Sequence, residues 1–320
     1  MIKVGIVGGA GYTAGEALRI LLNHPQVEIV FVNSTSNAGN KLYDVHEGLF
    51  GETEMVFTEK LPLDKIDALF ICSGHGDSRK FMESHDVPAS VKIIDLSTDY
   101  RDESDGFVYG LPELNMERIK KANKIANPGC FATAIQLGLL PLAANGLLKS
   151  EVHVNAITGS TGAGVKPGAT SHFSWRNGNI SVYKAFQHQH LKEIGQSMRQ
   201  LQPGFSHDIN FIPVRGNFSR GIFVSTYTEC DLELEEVKKL YEDFYKDAAF
   251  TFVMDKNPDL KQVVNTNKGI VHLEKHGNKL FIISMVDNLL KGASGQAVHN
   301  MNIMFGLDEK CGLNLKSVAF

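Results

Sequence analysis

The first half of the chain alternates short β-rich segments with helical ones, and this rhythm constrains the fold more than any other feature. IKVGIVGG predicts a first strand, and YTAGEALRILLNH predicts the helix that follows it. Further strands are predicted at VEIVFVNS, ALFICSGHG, VKIIDLS and KIANPGC, and further helices at SRKFMESH and FATAIQLGLLPLA. Strands that alternate with helices form parallel sheets. We therefore predict an α/β fold with a doubly wound parallel sheet of the Rossmann type.

The second half has a different pattern. After about Lys149 the chain becomes β-rich, in the segments VHVNAITGS, INFIPV, GIFVSTYTEC and KLFIISMVDN, with an amphipathic helix at LELEEVKKLYEDFYKDA. We predict a Rossmann domain at residues 1–149 and an α+β domain at residues 150–292. The tail, about residues 293–320, returns to helical periodicity, and we expect it to pack back on the first domain to bury its Met, Ile and Phe side chains.

Composition and charge exclude several partner classes. The chain has 320 residues and a net charge of −4, without a Lys/Arg stripe, so we expect neither nucleic acid nor membrane as a partner. The amino terminus carries no signal pattern, and four widely spaced cysteines suit a reducing compartment, so we expect a cytoplasmic protein. Small molecules are the favoured partners. The cysteines are Cys72, Cys130, Cys230 and Cys311.

A glycine-rich loop, GGAGYTAGE, follows the first strand and opens a helix. Gly8, Gly11 and Gly15 permit a tight turn and a close approach to a pyrophosphate, while the helix amino terminus offers N–H groups and a positive dipole end. The spacing departs from GxGxxG, and a simple βα turn is the alternative. The position after the first strand of an α/β pattern favours a dinucleotide site, which includes Gly8, Gly11, Tyr12 and Thr13.

The end of the second strand bears on the choice of cofactor. It reads Asn33, Ser34, Thr35 and Ser36, where NAD enzymes usually place an acidic residue that binds the ribose. Hydroxyls without a carboxylate leave room for a 2'-phosphate, so we predict NADP(H) as the cofactor, with Ser34 and Ser36 in contact with it. The expected arginine is also absent, and Lys41 is the candidate substitute. A polar strand-end turn is the alternative.

Cys130 stands at the start of a predicted helix, between a Pro-Gly turn and an apolar run in ANPGCFATAIQLGLLPLA. The positive end of a helix dipole stabilises a thiolate, which makes such a cysteine a nucleophile. The alternative is a small buried hydrophobe. A nicotinamide cofactor together with a thiolate favours acyl transfer to sulfur, followed by hydride transfer at the acyl carbon. We therefore predict aldehyde/acyl oxidoreduction, with the other three cysteines structural.

Five segments along the whole chain resemble those of one family, the N-acyl-γ-glutamyl-phosphate reductases of arginine biosynthesis, in the semialdehyde dehydrogenase superfamily. The segments are GYTAGEALRILLNHP, DLSTDYR, VYGLPELN, NPGCFATA and VDNLLKGASGQAVHNMN. The resemblance implies a glyceraldehyde-3-phosphate-dehydrogenase-like substrate and oligomerisation domain after the NADP-binding domain. It also implies a homo-oligomer, a dimer or tetramer. The implied reaction is NADPH-dependent reduction of an N-acyl-L-glutamyl 5-phosphate to the 5-semialdehyde and phosphate, through a thioester on Cys130.

The resemblance also suggests roles for other residues. It places the segment TGSTGAG, with Ser160 and Gly162, by the cofactor, and it suggests that Asn288 holds the nicotinamide. Arg101 in DLSTDYR is a candidate for the substrate phosphate, since guanidinium suits phosphate oxygens. A surface or interdomain ion pair is the alternative for Arg101.

The stretch AFQHQHLKEI resembles the family's paired-histidine segment, so we expect His188 and His190 to face the substrate. Ordinary polar side chains are the alternative. No third ligand is suggested nearby, so we predict no metal site.

One departure from the family concerns proton transfer. The family pattern FxPHLGNFxRGI carries a catalytic histidine, and this chain reads FIPVRGNFSRGI, with Val214 at that position. Valine cannot transfer a proton, so another group must serve as acid/base. His188, His190 and His207 are candidates by residue type, and water or the substrate phosphate are alternatives. We rank His190 first.

The neighbouring Arg215 replaces an apolar residue of the same pattern. An arginine here suits a second carboxylate on the acyl group, which would make N-succinyl rather than N-acetyl glutamyl phosphate the substrate. A salt bridge that holds the loop is the alternative.

Three competing functions remain open from the residues. Aspartate-semialdehyde dehydrogenase shares the thiol chemistry and architecture. A non-catalytic NADP-binding regulator would account for the lost histidine, but Cys130 is retained. A thiol hydrolase needs cysteine and histidine but leaves the glycine loop without a purpose.

Overall fold

The computed structural model describes residues 1–166 and 168–318, and it divides the chain between Pro128 and Gly129. Unit 1 comprises Met1–Pro128 and Ala293–Asn314, and unit 2 comprises Gly129–Gly292 with residues 315–318. The division lies about twenty residues before the boundary expected at 149/150. The reason is the helix that begins at Cys130, which packs on the sheet of unit 2, whereas the βα rhythm alone assigned it to the first domain.

Unit 1 contains a six-stranded sheet in which every described pairing is parallel. Its strand order is β2-β1-β3-β4-β6-β5. The predicted Rossmann-type sheet is therefore confirmed. The elements are β1 (Ile2–Val7), α1 (Tyr12–Leu21), β2 (Val27–Asn33), β3 (Ala68–Ile71), α2 (Asp77–Ser84), β4 (Lys92–Asp95), β5 (Val108–Tyr109), α3 (Pro112–Lys121) and β6 (Lys124–Ala126).

The strand order makes β1 the switch point of this sheet. The chain goes from β1 outward to β2 and then returns to β3 on the other side of β1. Open α/β sheets bind ligands beyond the carboxyl ends of the strands at such a point. The glycine loop follows β1 directly, so the topology places it at the position where a cofactor is expected.

Unit 2 contains a seven-stranded mixed sheet in the order β11-β12-β13-β10-β7-β9-β8. The predicted α+β domain is confirmed in this part of the chain. Its elements are α4 (Cys130–Ala144), β7 (Val152–Thr158), α5 (Phe173–Arg176), β8 (Ser181–Val182), α6 (His190–Leu201), β9 (Ile209–Arg215), β10 (Ile222–Glu229), α7 (Leu234–Tyr245), β11 (Thr251–Val253), β12 (Gly269–His276) and β13 (Lys279–Val286).

Helix α4 is the buried centre of unit 2. Every residue from Phe131 to Ala143 is buried, as expected of a helix that is apolar on all sides. Hydroxyl groups of the surrounding elements donate to its backbone: Ser284 to the Ala134 carbonyl at 2.7 Å and Tyr245 to the Leu137 carbonyl at 2.6 Å. These bonds fix α4 along and around its axis, and its amino-terminal residue Cys130 is positioned with it.

The last helix, α8 (Ser294–Met304), lies in unit 1. Ser294 donates from Oγ to the Thr13 carbonyl at 2.7 Å, and Asn300 donates from Nδ2 to the Gly110 carbonyl at 2.8 Å. All of its residues are buried, which is why the tail carries an apolar helical pattern. No helix of the described residues is long and apolar enough to cross a membrane.

Candidate active site

Cys130 is the first residue of α4 and is partly exposed. Its N-cap residue, Gly129, has no side chain to cap the first turn. The amide groups of a helix's first turn have no intrahelical acceptors, and the helix dipole adds positive potential there. The structure therefore places the thiol where a thiolate and a developing oxyanion are both favoured.

A glycine packs directly against the thiol-bearing residue. A Cβ atom at Gly292 would lie 2.9 Å from Cys130 Cβ and 2.7 Å from the Asn288 carbonyl oxygen. Both distances are shorter than any ordinary contact. Only glycine therefore allows the segment that contains Asn288 to approach Cys130 this closely, a requirement that sequence reasoning missed.

Glu193 is a second residue that sequence reasoning missed. Its carboxylate is buried, accepts a hydrogen bond from the Gly129 amide at 3.0 Å, and lies 3.8 Å from Nε2 of His190. It stands three residues after His190 on α6, so one helix face presents both groups. This spacing was the available signal in AFQHQHLKEI. Glu193 thus connects the N-cap of the thiol helix to the candidate acid/base.

His188 is neutral at physiological pH. Burial, helped by the positive charge of Lys184, lowers the pKa of His188 to about 4. Its Nδ1 accepts a hydrogen bond from the His190 amide at 3.3 Å, so the proton of the neutral ring lies on Nε2. The ring also makes edge contacts with Phe131 and Phe211. His188 can therefore offer substrate a hydrogen bond but no charge. The third candidate, His207, is exposed and contacts Phe205.

Tyr183 is a third residue that sequence reasoning missed, and it lies within electrostatic range of Cys130. Burial, together with a negative charge on Cys130, raises the pKa of Tyr183 to about 12, although Arg215 acts in the opposite direction. The guanidinium carbon of Arg215 stands 4.8 Å from the centre of the Tyr183 ring. The phenol therefore remains protonated and is available as a hydrogen-bond donor beside the thiol.

Arg215 ends β9 and has no carboxylate within ion-pair distance among the described residues. Its described side-chain partners are Tyr183, which it contacts over the ring and by a hydrogen bond, and, at 3.4 Å, the Thr170 hydroxyl. Among the described residues, Arg215 therefore forms no salt bridge that would hold the loop after Val214. The buried Arg176 holds the loop instead, donating to the Arg215 carbonyl at 2.8 Å and to the Thr170 carbonyl at 2.8 Å. Val214 is buried between strands and provides no polar atom.

Six of the predicted cofactor residues lie in unit 1, four on the glycine loop and two after β2. Gly8 has a φ of 76°, and a Cβ there would lie 2.8 Å from the Cys72 backbone, so glycine is required. Gly11 is the N-cap of α1, Tyr12 and Thr13 begin that helix, and α1 has no capping side chain. The uncapped amides of the first turn of α1 and the glycine loop, which lets the backbone approach a ligand closely, fit the pyrophosphate of a dinucleotide.

The end of β2 fits a phosphorylated ribose in part. Ser34 is buried and Ser36 exposed, and both hydroxyls accept hydrogen bonds from Nδ2 of Asn37. Lys41, the candidate substitute for the missing arginine, forms an ion pair with Glu54 at 2.9 Å. The two serines remain candidates for binding the 2'-phosphate. Lys41 is instead paired with the Glu54 carboxylate.

The other residues that the resemblance suggested are engaged within their own units. Arg101 is buried in unit 1 and donates to the Asn127 carbonyl at 2.9 Å. In unit 2, Asn288 accepts from the Gly221 amide at 2.7 Å and donates to the Thr161 hydroxyl at 3.0 Å, which fixes the loop that carries Ser160 and Gly162. Among the described residues, no group of three or more His, Cys, Asp or Glu side chains is arranged to hold a metal ion.

Comparison with known proteins identifies the family. Residues 3–122 match the family described as semialdehyde dehydrogenase, NAD binding domain, and residues 130–288 match semialdehyde dehydrogenase, dimerisation domain. The chain is 68% identical to the N-acetyl-gamma-glutamyl-phosphate reductase of Parabacteroides distasonis and 60% identical to that of Christiangramia forsetii, over the whole of each chain. This chain belongs to the N-acetyl-gamma-glutamyl-phosphate reductase family.

Solved structures of other semialdehyde dehydrogenases share the fold of this reductase family member. Aspartate semialdehyde dehydrogenase II from Vibrio cholerae, complexed with ASA, has a TM-score of 0.74 at 15% identity and covers 96% of this chain and 98% of its own. Aspartate semialdehyde dehydrogenase with NADP from Candida albicans has a TM-score of 0.72 at 15% identity, with 95% and 98% covered. At this identity the likeness establishes the fold alone.

The contact between Gly292 and Cys130 generates a prediction for the reductase site. Replacing Gly292 with Ala forces either Cys130 or the Asn288 segment to move, because the added methyl has no room. Overpacking of this kind costs about 1–3 kcal/mol, and we expect a loss of activity of about tenfold or more. The measurements are the semialdehyde oxidation rate, the alkylation rate of Cys130 by iodoacetamide, and the melting temperature.

The matched control for that substitution is Gly204→Ala, because a Cβ at Gly204 has nothing within 4 Å. We expect its activity and alkylation rate to equal those of the parent. If Gly292→Ala alkylates and turns over at the parental rate, the close packing against Cys130 has no functional importance.

Proposed function

We propose that this chain reduces N-acetyl-L-glutamyl 5-phosphate to N-acetyl-L-glutamate 5-semialdehyde and phosphate with NADPH, as a step of L-arginine biosynthesis. The observation that carries the proposal is the position of Cys130 at the open amino terminus of α4 in a chain of this family. The nicotinamide cofactor supplies the hydride that converts an acyl thioester to an aldehyde.

The proposed first step is attack of the Cys130 thiolate on the acyl carbon of the substrate. The new S–C bond replaces the C–O bond to phosphate, which leaves as inorganic phosphate, and a thioester remains on Cys130. The first-turn amides of α4 support the negative charge on the carbonyl oxygen. After reduction, collapse of the thiohemiacetal releases the aldehyde and restores the thiolate.

We propose His190 as the group that moves the proton, with Glu193 holding it in place. The carboxylate of Glu193 lies 3.8 Å from Nε2 of His190 and is proposed to orient the ring. The protonated Tyr183 and the neutral His188 are proposed as donors to substrate oxygens. Together these groups compensate for Val214, which occupies the position of the histidine in the family pattern.

The assignment of NADPH rather than NADH rests on the end of β2. Ser34 and Ser36 stand there without a carboxylate that would repel a 2'-phosphate. Gly8, Gly11, Tyr12 and Thr13 are proposed to hold the pyrophosphate. Ser160, Gly162 and Asn288 are proposed to serve the nicotinamide end, and Arg101 is proposed for the substrate phosphate.

We propose a cytoplasmic enzyme that assembles into a homo-oligomer, a dimer or tetramer. All four cysteines are thiols in the structure, as a reducing compartment favours.

The interface is proposed on the face of the seven-stranded sheet that lies opposite α4. Tyr227 on β10 is paired with Phe281 on β13, and both line a groove of about 410 Å³ with Ile212 and Phe186. Apolar surface of this kind favours a second copy, and the dimerisation-domain match covers these strands.

The proposed reaction is tested in the oxidative direction. We expect NADPH to form from NADP⁺ only when N-acetyl-L-glutamate 5-semialdehyde and phosphate are both present, and kcat/KM with NADP⁺ to exceed that with NAD⁺. Replacing Cys130 with Ala removes the nucleophile and should lower kcat at least about 1000-fold. The control Cys311→Ser, in the carboxy-terminal tail, should retain the parental rate.

Three other outcomes distinguish the competing functions. Turnover of aspartate semialdehyde above that of the N-acetylglutamate derivative would assign the chain to the other branch of the superfamily. Tight NADPH binding without turnover would indicate a regulator. Ester hydrolysis without any cofactor would indicate a thiol hydrolase.

The acyl group of the substrate is tested through Arg215. Because its guanidinium has no carboxylate partner among the described residues, we propose N-succinyl-L-glutamyl 5-phosphate as a second candidate substrate. Replacing Arg215 with Leu should lower kcat/KM for the succinyl semialdehyde about tenfold or more and change that for the acetyl form much less. Arg199→Leu, on an exposed part of α6, is the control.

Side-by-side kinetics of the parent on the two semialdehydes decide the same question. The succinyl assignment would be excluded if the acetyl semialdehyde is turned over equally well or better and Arg215→Leu has no selective effect. The role of Arg215 would then be its contact with the Tyr183 ring.

The proposed interface is tested by the mass of the protein in solution. Replacing Tyr227 with Asp introduces a charge into the apolar face, and we expect the oligomer to dissociate into protomers by light scattering. Phe50→Asp, on an exposed residue of unit 1, should leave the mass unchanged. An intact Tyr227→Asp oligomer would place the interface elsewhere.

A further inference from the structure

One side chain from outside the glycine loop contacts it at two points. His46 lies between β2 and β3 in unit 1, beyond the predicted cofactor motif. Its Nε2 is 2.7 Å from the Gly9 carbonyl oxygen. Its ring also occupies the space beside Gly15, where a Cβ atom would lie 2.7 Å from Nδ1.

The first contact fixes one peptide group of the loop. A carbonyl oxygen only accepts, so Nε2 carries the proton and donates it to Gly9. A trans peptide is planar, with its C=O and N–H pointing in opposite directions. Because His46 holds the Gly9 carbonyl, the N–H of Ala10 is turned away from His46. Among the described residues this N–H has no acceptor.

The second contact explains the glycine at position 15. Gly15 lies in the first turn of α1, where its own amide donates to the Gly11 carbonyl at 3.0 Å. Its φ is ordinary, so no backbone conformation requires glycine there. The imidazole of His46 is the reason, because any side chain would displace the ring from Gly9. The imidazole also lies beside the ring of Phe57, with the two ring centres 6.2 Å apart.

We propose that His46 is a positioning residue for the cofactor, acting through the Gly9–Ala10 peptide, and that Gly15 is glycine in order to admit it. This inference rests on the proposed function, since the loop must bind the pyrophosphate of NADPH. The oriented Ala10 amide and the open first-turn amides of α1 then face the anion without a rearrangement on binding. His46 itself makes no contact with the reacting atoms.

The first test measures NADPH affinity by fluorescence titration. Loss of one hydrogen bond that orders the loop should weaken binding of NADPH about three- to tenfold in His46→Ala. His46→Gln should recover most of the affinity, because its amide nitrogen reaches the position of Nε2. At saturating NADPH, kcat should equal that of the parent. The control His85→Ala changes a partly exposed histidine that stacks on Phe81 outside the glycine loop, and it should leave the affinity unchanged.

The second test uses the packing against Gly15. Gly15→Ala should weaken NADPH binding to about the same extent as His46→Ala, because the methyl displaces the ring. In the His46→Ala background the same change should have almost no further effect, because the ring is gone. Gly48→Ala is the matched control, since a Cβ there has nothing within 4 Å.

The outcomes separate this inference from the proposed function. If the parent binds neither NADPH nor NADH, both fail together. If the parent binds NADPH and His46→Ala binds it equally well, only the role of His46 is wrong. A lowered kcat at saturating NADPH, additive effects of the two substitutions, or no recovery in His46→Gln would each show a general structural role instead. Melting temperatures without cofactor identify any variant that is unfolded.

Discussion

Burial of α4 is the constraint on which the chemistry of unit 2 depends. A helix that is apolar on all sides must be enclosed, and here the sheet and the hydroxyls of Ser284, Tyr241 and Tyr245 enclose it. Its carbonyls therefore accept hydrogen bonds from other elements as well as from the helix itself. At its amino-terminal end, Cys130 alone remains partly accessible, while Phe131 to Ala143 are buried. The position of Cys130 is consequently set by the packing of the whole domain rather than by its own turn.

The charges around that thiol are arranged on two sides. The Glu193 carboxylate binds the Gly129 amide and faces His190, while Arg215 and the protonated Tyr183 lie together at the end of β9. His188, between aromatic rings, is held neutral. Positively charged side chains and neutral hydrogen-bond donors near the thiol suit the negative oxygens of an acyl phosphate.

The glycines of the nucleotide loop serve different purposes. Gly8 is required by its positive φ and by the adjacent Cys72 backbone, both of which concern the turn itself. Gly15 is required by the imidazole of His46, which comes from a later part of the chain. Glycines of different function therefore share one short segment, whose spacing departs from GxGxxG. A motif defined by glycine positions alone does not separate these roles.

The sequence by itself determined the alternation of strands and helices in the first half except for β5 and α3, the position of the thiol at a helix start, and the family, because these depend on local periodicity and on short motifs. Tertiary structure decided that α4 belongs to unit 2, that Glu193 and Tyr183 accompany Cys130, and that Lys41 is paired with Glu54. The tertiary structure also explains why positions 15 and 292 are glycines, because a Cβ atom at either position would have no room. Such contacts join residues far apart in sequence, and periodicity carries no information about which distant side chain fills a given space.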